Sequence, residues 1–168
     1  MKREHPIALV DTNVWLDNYL GQRPHSGESR HFIDLAREYD VQLAYAIHSL
    51  HDFFFVMQSE LKRSMASAGV VTQSNALAAR ESAWACIESL RSLATAIGAD
   101  ESDAWLACRY RALTNDLEDN FVLAAAERVP VDFLVTNDLS LIRKSTVNAY
   151  TPADATLMLE ATQANRRR

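Results

Sequence analysis

Short, mostly apolar runs, the first of them wholly apolar, alternate along the chain with longer stretches in which apolar positions recur every three to four residues. Runs of the first kind predict strands buried on both faces, and stretches of the second kind predict amphipathic helices. Strands are expected over 7–10, 41–47, 94–97 and 133–136, with a weak one over 147–150. Helices are expected over 14–20, 28–39, from 53 toward 62 with an end near Gly69, 76–93, 121–128 and after Pro152. A further helix should open after Asp100 or Ser102. Thr12-Asn13, Ser26, and Thr72 or Ser74 are candidate caps, while Gly21 with Pro24, Asp40 and Pro130 punctuate the ends. The alternation predicts an α/β fold, a three-layer α/β/α arrangement around a central, mainly parallel sheet. No linker, repeat or low-complexity stretch divides the chain, so residues 1–168 read as a single domain.

Several of the expected strands run straight into acids. The run ending at Val10 stops at Asp11, the second strand leads to His48-Ser49-Leu50-His51-Asp52, and the fourth leads to Asn137-Asp138. In open parallel sheets ligands bind beyond the carboxyl ends of the strands, so these acids would gather along one edge. Asp116 and Asp119 lie one helical turn apart and share a face. Each acid also has a plainer reading. Asp11-Thr12-Asn13 can be a turn with a cap, Asn115 with Glu118 resembles a capping box, Asn137-Asp138 can be an N-cap, and Asp52 can be an ordinary first-turn acid. His48 and His51 are spaced like a zinc pair, but no third ligand has matching spacing, and packed or rim histidines are the better reading. Trp15, Trp84 and Trp105 read as core rather than stacking platforms. Taken together, clustered carboxylates would repel one another and raise some pKa values unless a cation sat among them. Oxygen ligands without thiolates point to magnesium or manganese.

Composition narrows the picture. The 168 residues are 48% apolar with a formal charge of -5, which argues against a coat protein that binds nucleic acid through many phosphate contacts. It leaves room for an enzyme that grips phosphates through metal ions. Cys86 and Cys108 form no CxxC pair, and neither a disulfide framework nor a thiolate zinc site is expected. Met1-Lys2-Arg3 precedes an apolar run, yet Asp11 interrupts it too early for a secretory segment, and no stretch approaches a membrane span. A cytoplasmic protein is expected. Arg166-Arg167-Arg168 reads as a solvated end. Arg109, Arg111 and Arg143 are candidates for substrate phosphates from charge alone. The three phenylalanines Phe53, Phe54 and Phe55 point around more than one helix face, as in a multiply buried helix or a subunit contact.

Val10-Asp11-Thr12-Asn13-Val14, Asp116-x-x-Asp119 before an alanine-rich helix, Val135-Thr136-Asn137-Asp138, and the finish Tyr150-Thr151-Pro152 occur in one order. This set resembles the PIN-domain family over nearly the whole chain. The resemblance implies a ribonuclease dependent on Mg2+ or Mn2+, most often the toxin of a type II toxin-antitoxin pair, with RNA as substrate, a cognate antitoxin and a homodimeric state. Carried over residue by residue, it implies Asp11, Asp119 and Asp138 as metal ligands and Asp116 as a second acid on the same helix. Asp52 stands where the family commonly has Glu, and its shorter side chain would reach a metal through water. Thr12, Asn13, Thr136 and Asn137 would orient the carboxylates. Two other readings remain. One is a PIN fold that has lost catalysis and only binds a partner. The other is a magnesium-binding phosphoacceptor domain of the flavodoxin-like type, which needs a lysine directly after a late strand, whereas Lys144 follows an expected turn.

Overall fold

The computed structural model describes residues 5–66 and 69–166. Met1-Lys2-Arg3, Arg167 and Arg168 lie outside the described residues, as does the side chain of Arg166. Five strands, β1 (Ile7–Val10), β2 (Gln42–Ala46), β3 (Thr95–Ile97), β4 (Phe133–Val135) and β5 (Ala149–Tyr150), form one sheet in the order β3-β2-β1-β4-β5. Every pairing is parallel, with Leu9 opposite Ala44 on one side and Leu134 on the other. The expected mainly parallel sheet is therefore wholly parallel.

Side chains of successive strand residues point to opposite faces, and the core divides accordingly. Ala8, Val10, Leu43, Tyr45, Phe133 and Val135 pack against residues from α1 (Thr12–Tyr19), α2 (Ser26–Glu38), α3 (Ser49–Met65), α4 (Gln73–Leu93) and α8 (Pro152–Arg166). Leu9, Ala44, Ala46, Ile97 and Leu134 pack on the other face against α5 (Glu101–Tyr110), α6 (Leu117–Arg128) and α7 (Leu139–Lys144). These are the three layers. The helix after β1 lies on one face and the helix after β4 on the other, so the chain switches sides between these neighbouring strands. Such a switch opens a crevice at the carboxyl ends of the two strands.

Local chemistry moves several element boundaries from their expected places. Asp11 itself caps α1 by accepting from the Thr12 N–H at 2.7 Å, so the helix starts at Thr12 rather than at 14. Ser26 lies inside α2 and bonds back to the Gly21 carbonyl; no side chain caps that helix. At its far end Asp40 adopts φ +55, and the Val41 N–H reaches the Ala36 carbonyl at 2.8 Å while Asp40 N–H reaches Arg37. That left-handed stop feeds the chain directly into β2. Helix α3 begins at Ser49, which places Asp52 in its first turn instead of at a strand end. Thr72 caps α4 as expected. Asp116, not Asn115, caps α6 through bonds from the Glu118 and Asp119 N–H groups, and the helix begins four residues before the alanine-rich run starting at Phe121. Helix α7 is short and held by its Asp138 cap, the capping role that Asn137-Asp138 allowed in the sequence. Among the described residues no helix is long and apolar enough to cross a membrane.

Candidate metal and phosphodiester site

At the switch between β1 and β4, Asp11 is buried and its carboxylate is tightly held. It accepts at 2.7 Å from the Thr12 backbone N–H, from Asn13 Nδ2 and from the Thr136 hydroxyl. Burial nevertheless pushes its pKa up against those three donors, with the nearby Asp138 charge adding to the rise. Thr136 works twice, because its Oγ1 also accepts from Asn13 Nδ2 at 3.0 Å and from the Asp138 N–H at 3.0 Å. Asp138 spends Oδ1 on capping α7, accepting from the Ser140 and Leu141 N–H groups.

The opposite wall comes from α3 and α6. A cavity of about 180 Å³ is lined by Asp11, Thr12, Asn13, Leu16, Asp52, Val56, Glu118 and Asp119. Four carboxylates thus face one pocket, and among the described residues no lysine or arginine lines it. Glu118 is pushed up to about 6, first by burial and then by the charges of Asp52 and Asp11, with only the Thr12 hydroxyl, 3.2 Å away, opposing the rise. Asp119 is likewise pushed up to about 6, by burial and by the charges of Asp116, Asp11 and Asp138, against a long 3.4 Å bond from Thr114.

Of the residues singled out in the sequence, Asp11, Asp52 and Asp119 line the cavity, and Asp138 acts on Asp11 and Asp119 through its charge from just outside it. Asp116 is exposed at the α6 cap, outside the lining. Asn13 and Thr136 bind Asp11 directly, Thr12 binds Glu118, and the Asn137 N–H donates to Asn13 Oδ1 at 3.0 Å. Glu118 was read only as half of a capping box. Its pocket role follows from lying one residue before Asp119 on a helix whose cap falls at Asp116, a boundary that apolar periodicity alone misses. The two histidines part company: His48 packs on Phe121 with ring centroids 5.1 Å apart and its pKa lowered by burial, whereas His51 is exposed beside Asp52. Lys144 ends α7 and does not directly follow a strand, so the arrangement a phosphoacceptor requires is absent among the described residues.

The donor set suits a hard divalent cation: several carboxylates, oxygen only, of which Asp11, Glu118 and Asp119 are raised in pKa first by burial and then by neighbouring carboxylates. Among the described residues no group of three or more His, Cys, Asp or Glu stands close enough to enclose an ion. Magnesium keeps several waters and takes one or two carboxylates directly, so a closed protein cage is not what its chemistry demands.

A family model described as PIN domain matches residues 8–140. Three solved structures share the fold at low identity. One chain of VapBC2 from Rickettsia felis, bound to a DNA fragment from its promoter, is 12% identical with a TM-score of 0.58, covering 86% of this chain and 98% of that one. PAE2754 from Pyrobaculum aerophilum is 15% identical with a TM-score of 0.61, covering 93% and 90%. VapC20 from Mycobacterium tuberculosis, described as a sarcin-ricin loop cleaving toxin, is 13% identical with a TM-score of 0.57, covering 81% and 93%. No curated protein matches the sequence significantly.

Proposed function

Because the chain belongs to the PIN-domain family, we propose that it is a divalent-metal-dependent ribonuclease, one nuclease domain acting as the toxin of a toxin-antitoxin pair in the cytoplasm. The observation that carries this reading is the crowding of Asp11, Asp52, Glu118 and Asp119 around one cavity, with no lysine or arginine lining it among the described residues, at the switch point of a parallel sheet. Asp11, Asp119 and Asp138 would hold Mg2+ or Mn2+, with Glu118 facing the same cavity and Asp52 reaching it through water. Asp116 adds negative charge while it caps α6. When bound, such an ion lowers the pKa of a water and polarises a phosphoryl oxygen.

The chain's own groups then have distinct tasks. Asp11, fixed by three donors, supplies an oxygen whose position does not drift. Glu118 and Asp119, with pKa values near 6, can lose a proton near neutral pH without large cost once positive charge is present. Asn13, Thr136 and Thr12 hold these carboxylates in place, and such partners are worth 10- to 100-fold in metal affinity or activity. RNA would approach over Arg109, Arg111 and Arg143. The proposed partner is a cognate antitoxin protein. The exposed Phe55 on α3 is a candidate homodimer contact.

The test is cleavage of a panel of structured RNAs with magnesium or manganese and with chelator, using Asp119→Asn as control. Cleavage that needs the metal and is lost in the variant supports the reading; equal cleavage by the variant overturns it. A binding module without catalysis has one observation in its favour, that among the described residues no three His, Cys, Asp or Glu stand close enough together to enclose an ion. Metal-independent RNA binding with no cleavage at all would establish it instead.

A further inference from the structure

One further buried acid is not used by the metal reading. Asp17, near the end of α1, is 2% exposed, and a buried carboxylate is tolerated only when its oxygens are satisfied. Oδ1 is bonded by the Arg23 guanidinium, and Oδ2 accepts from Asn137 Nδ2 at 2.7 Å. The same Asn137 amide nitrogen also lies 3.3 Å from the Ser29 hydroxyl. The backbone N–H of Asn137 donates to Asn13 Oδ1, and Asn13 Nδ2 in turn donates to Asp11 Oδ2 and to Thr136.

Every link in that chain has a fixed polarity. A carboxylate can only accept, so Asp17 requires the NH2 side of the Asn137 amide. With the Asn137 side chain anchored, its backbone N–H is aimed at Asn13. Asn13 must then turn its oxygen toward Asn137, which leaves its NH2 facing Asp11. A flipped Asn13 amide would set an oxygen against the Asp11 carboxylate. We propose that Asp17 is a positioning residue for the acidic pocket, acting through Asn137 and Asn13 to fix both the place and the donor environment of Asp11. Arg23 satisfies Asp17 and, among the described residues, makes no side-chain bond onward to the pocket. It therefore contributes to stability and not to this alignment.

The two roles separate by mutation. Asp17→Asn keeps the shape but lets an amide nitrogen face Asn137, whereas Arg23→Ala removes the ion pair and leaves the Asp17 to Asn137 bond intact. Both should lower the melting temperature. Only Asp17→Asn should shift or broaden the side-chain amide resonances of Asn13 in 15N spectra of the metal-free protein, and only it should slow RNA cleavage, by about 10- to 100-fold with KM little changed. Adding Asn137→Asp to Asp17→Asn exchanges donor and acceptor across that bond and should restore part of the Asn13 signal. The effect on rate rests on the nuclease reading, whereas the effect on Asn13 does not. If the wild type cuts no RNA, the nuclease reading fails while the resonances still decide the positioning role. Should Asp17→Asn fail to fold, Asn137→Ala is compared in its place and should disturb the same signals. Unchanged Asn13 resonances in these variants, or an equal disturbance in Arg23→Ala, would overturn the assignment.

Discussion

The two walls of the pocket are built on opposite principles. On the β1 and β4 side, Asp11 is surrounded by donors at hydrogen-bond distance, and those donors are themselves held by Asn137 and Asp17. On the α3 and α6 side, Glu118 and Asp119 each have a single weak hydroxyl contact and several like charges. One wall is preorganised and the other is electrostatically loaded. Fixed donors cost no rearrangement when a ligand arrives, while unrelieved repulsion gives a cation something to neutralise. A site that binds a hard ion benefits from both.

The largest way to break this contrast is Asp11→Asn. It removes the charge from the fixed wall and leaves three donors facing an amide, and RNA cleavage should fall by roughly 100-fold or more, as expected when a group holding the metal is lost. Next is Thr136→Val, which strips the hydroxyl shared by Asp11, Asn13 and Asp138. Cleavage should drop by about 10- to 100-fold and stability by roughly 1–3 kcal/mol, the cost of leaving buried polar partners unpaired. Initial rates and denaturant melts check the two effects.

The loaded wall gives a pH signature of a definite sign. Glu118 and Asp119 have folded-state pKa values raised to about 6 from 4.5 and 3.8. Across the window from about 4 to 6 the folded protein binds more protons than the unfolded chain, so its stability falls as pH rises through that window. Without metal the melting temperature should be higher at pH 5 than at pH 7.5. Glu118→Gln should flatten that difference, and added manganese should raise the melting temperature more at pH 7.5 than at pH 5. A melting temperature that rises with pH in the metal-free protein would contradict the repulsion. The smallest effect belongs to Asp116→Ser. Serine caps helices about as well as aspartate, so cleavage and stability should stay near wild type if Asp116 contributes only its cap and a screened charge; a large loss of rate would make it a ligand.

Much of the sheet was legible from sequence because a strand buried on both faces leaves a wholly apolar run, as at 7–10 and 133–135. The acids after β1 and β4 were legible for the same reason, since polarity resumes abruptly at Asp11 and at Thr136. Boundaries set by single hydrogen bonds were not. Asp11, Asp116 and Asp138 cap helices with the same carboxylates that a site reading would claim, and periodicity cannot see which N–H a side chain accepts. Glu118 was hidden by that ambiguity. Asp17 was hidden by distance, for its partner Asn137, which also reaches Ser29, lies 120 residues away and meets it only in the fold.

The measurement that bears most directly on the acidic pocket is a calorimetric titration of the metal-free protein with manganese, run in parallel on wild type, Asp11→Asn and Asp119→Asn. Saturable binding by the wild type, weakened strongly by either substitution, one on each wall, is the predicted result. Binding of equal strength in all three proteins, or none in the wild type, would contradict a shared cation site between the walls.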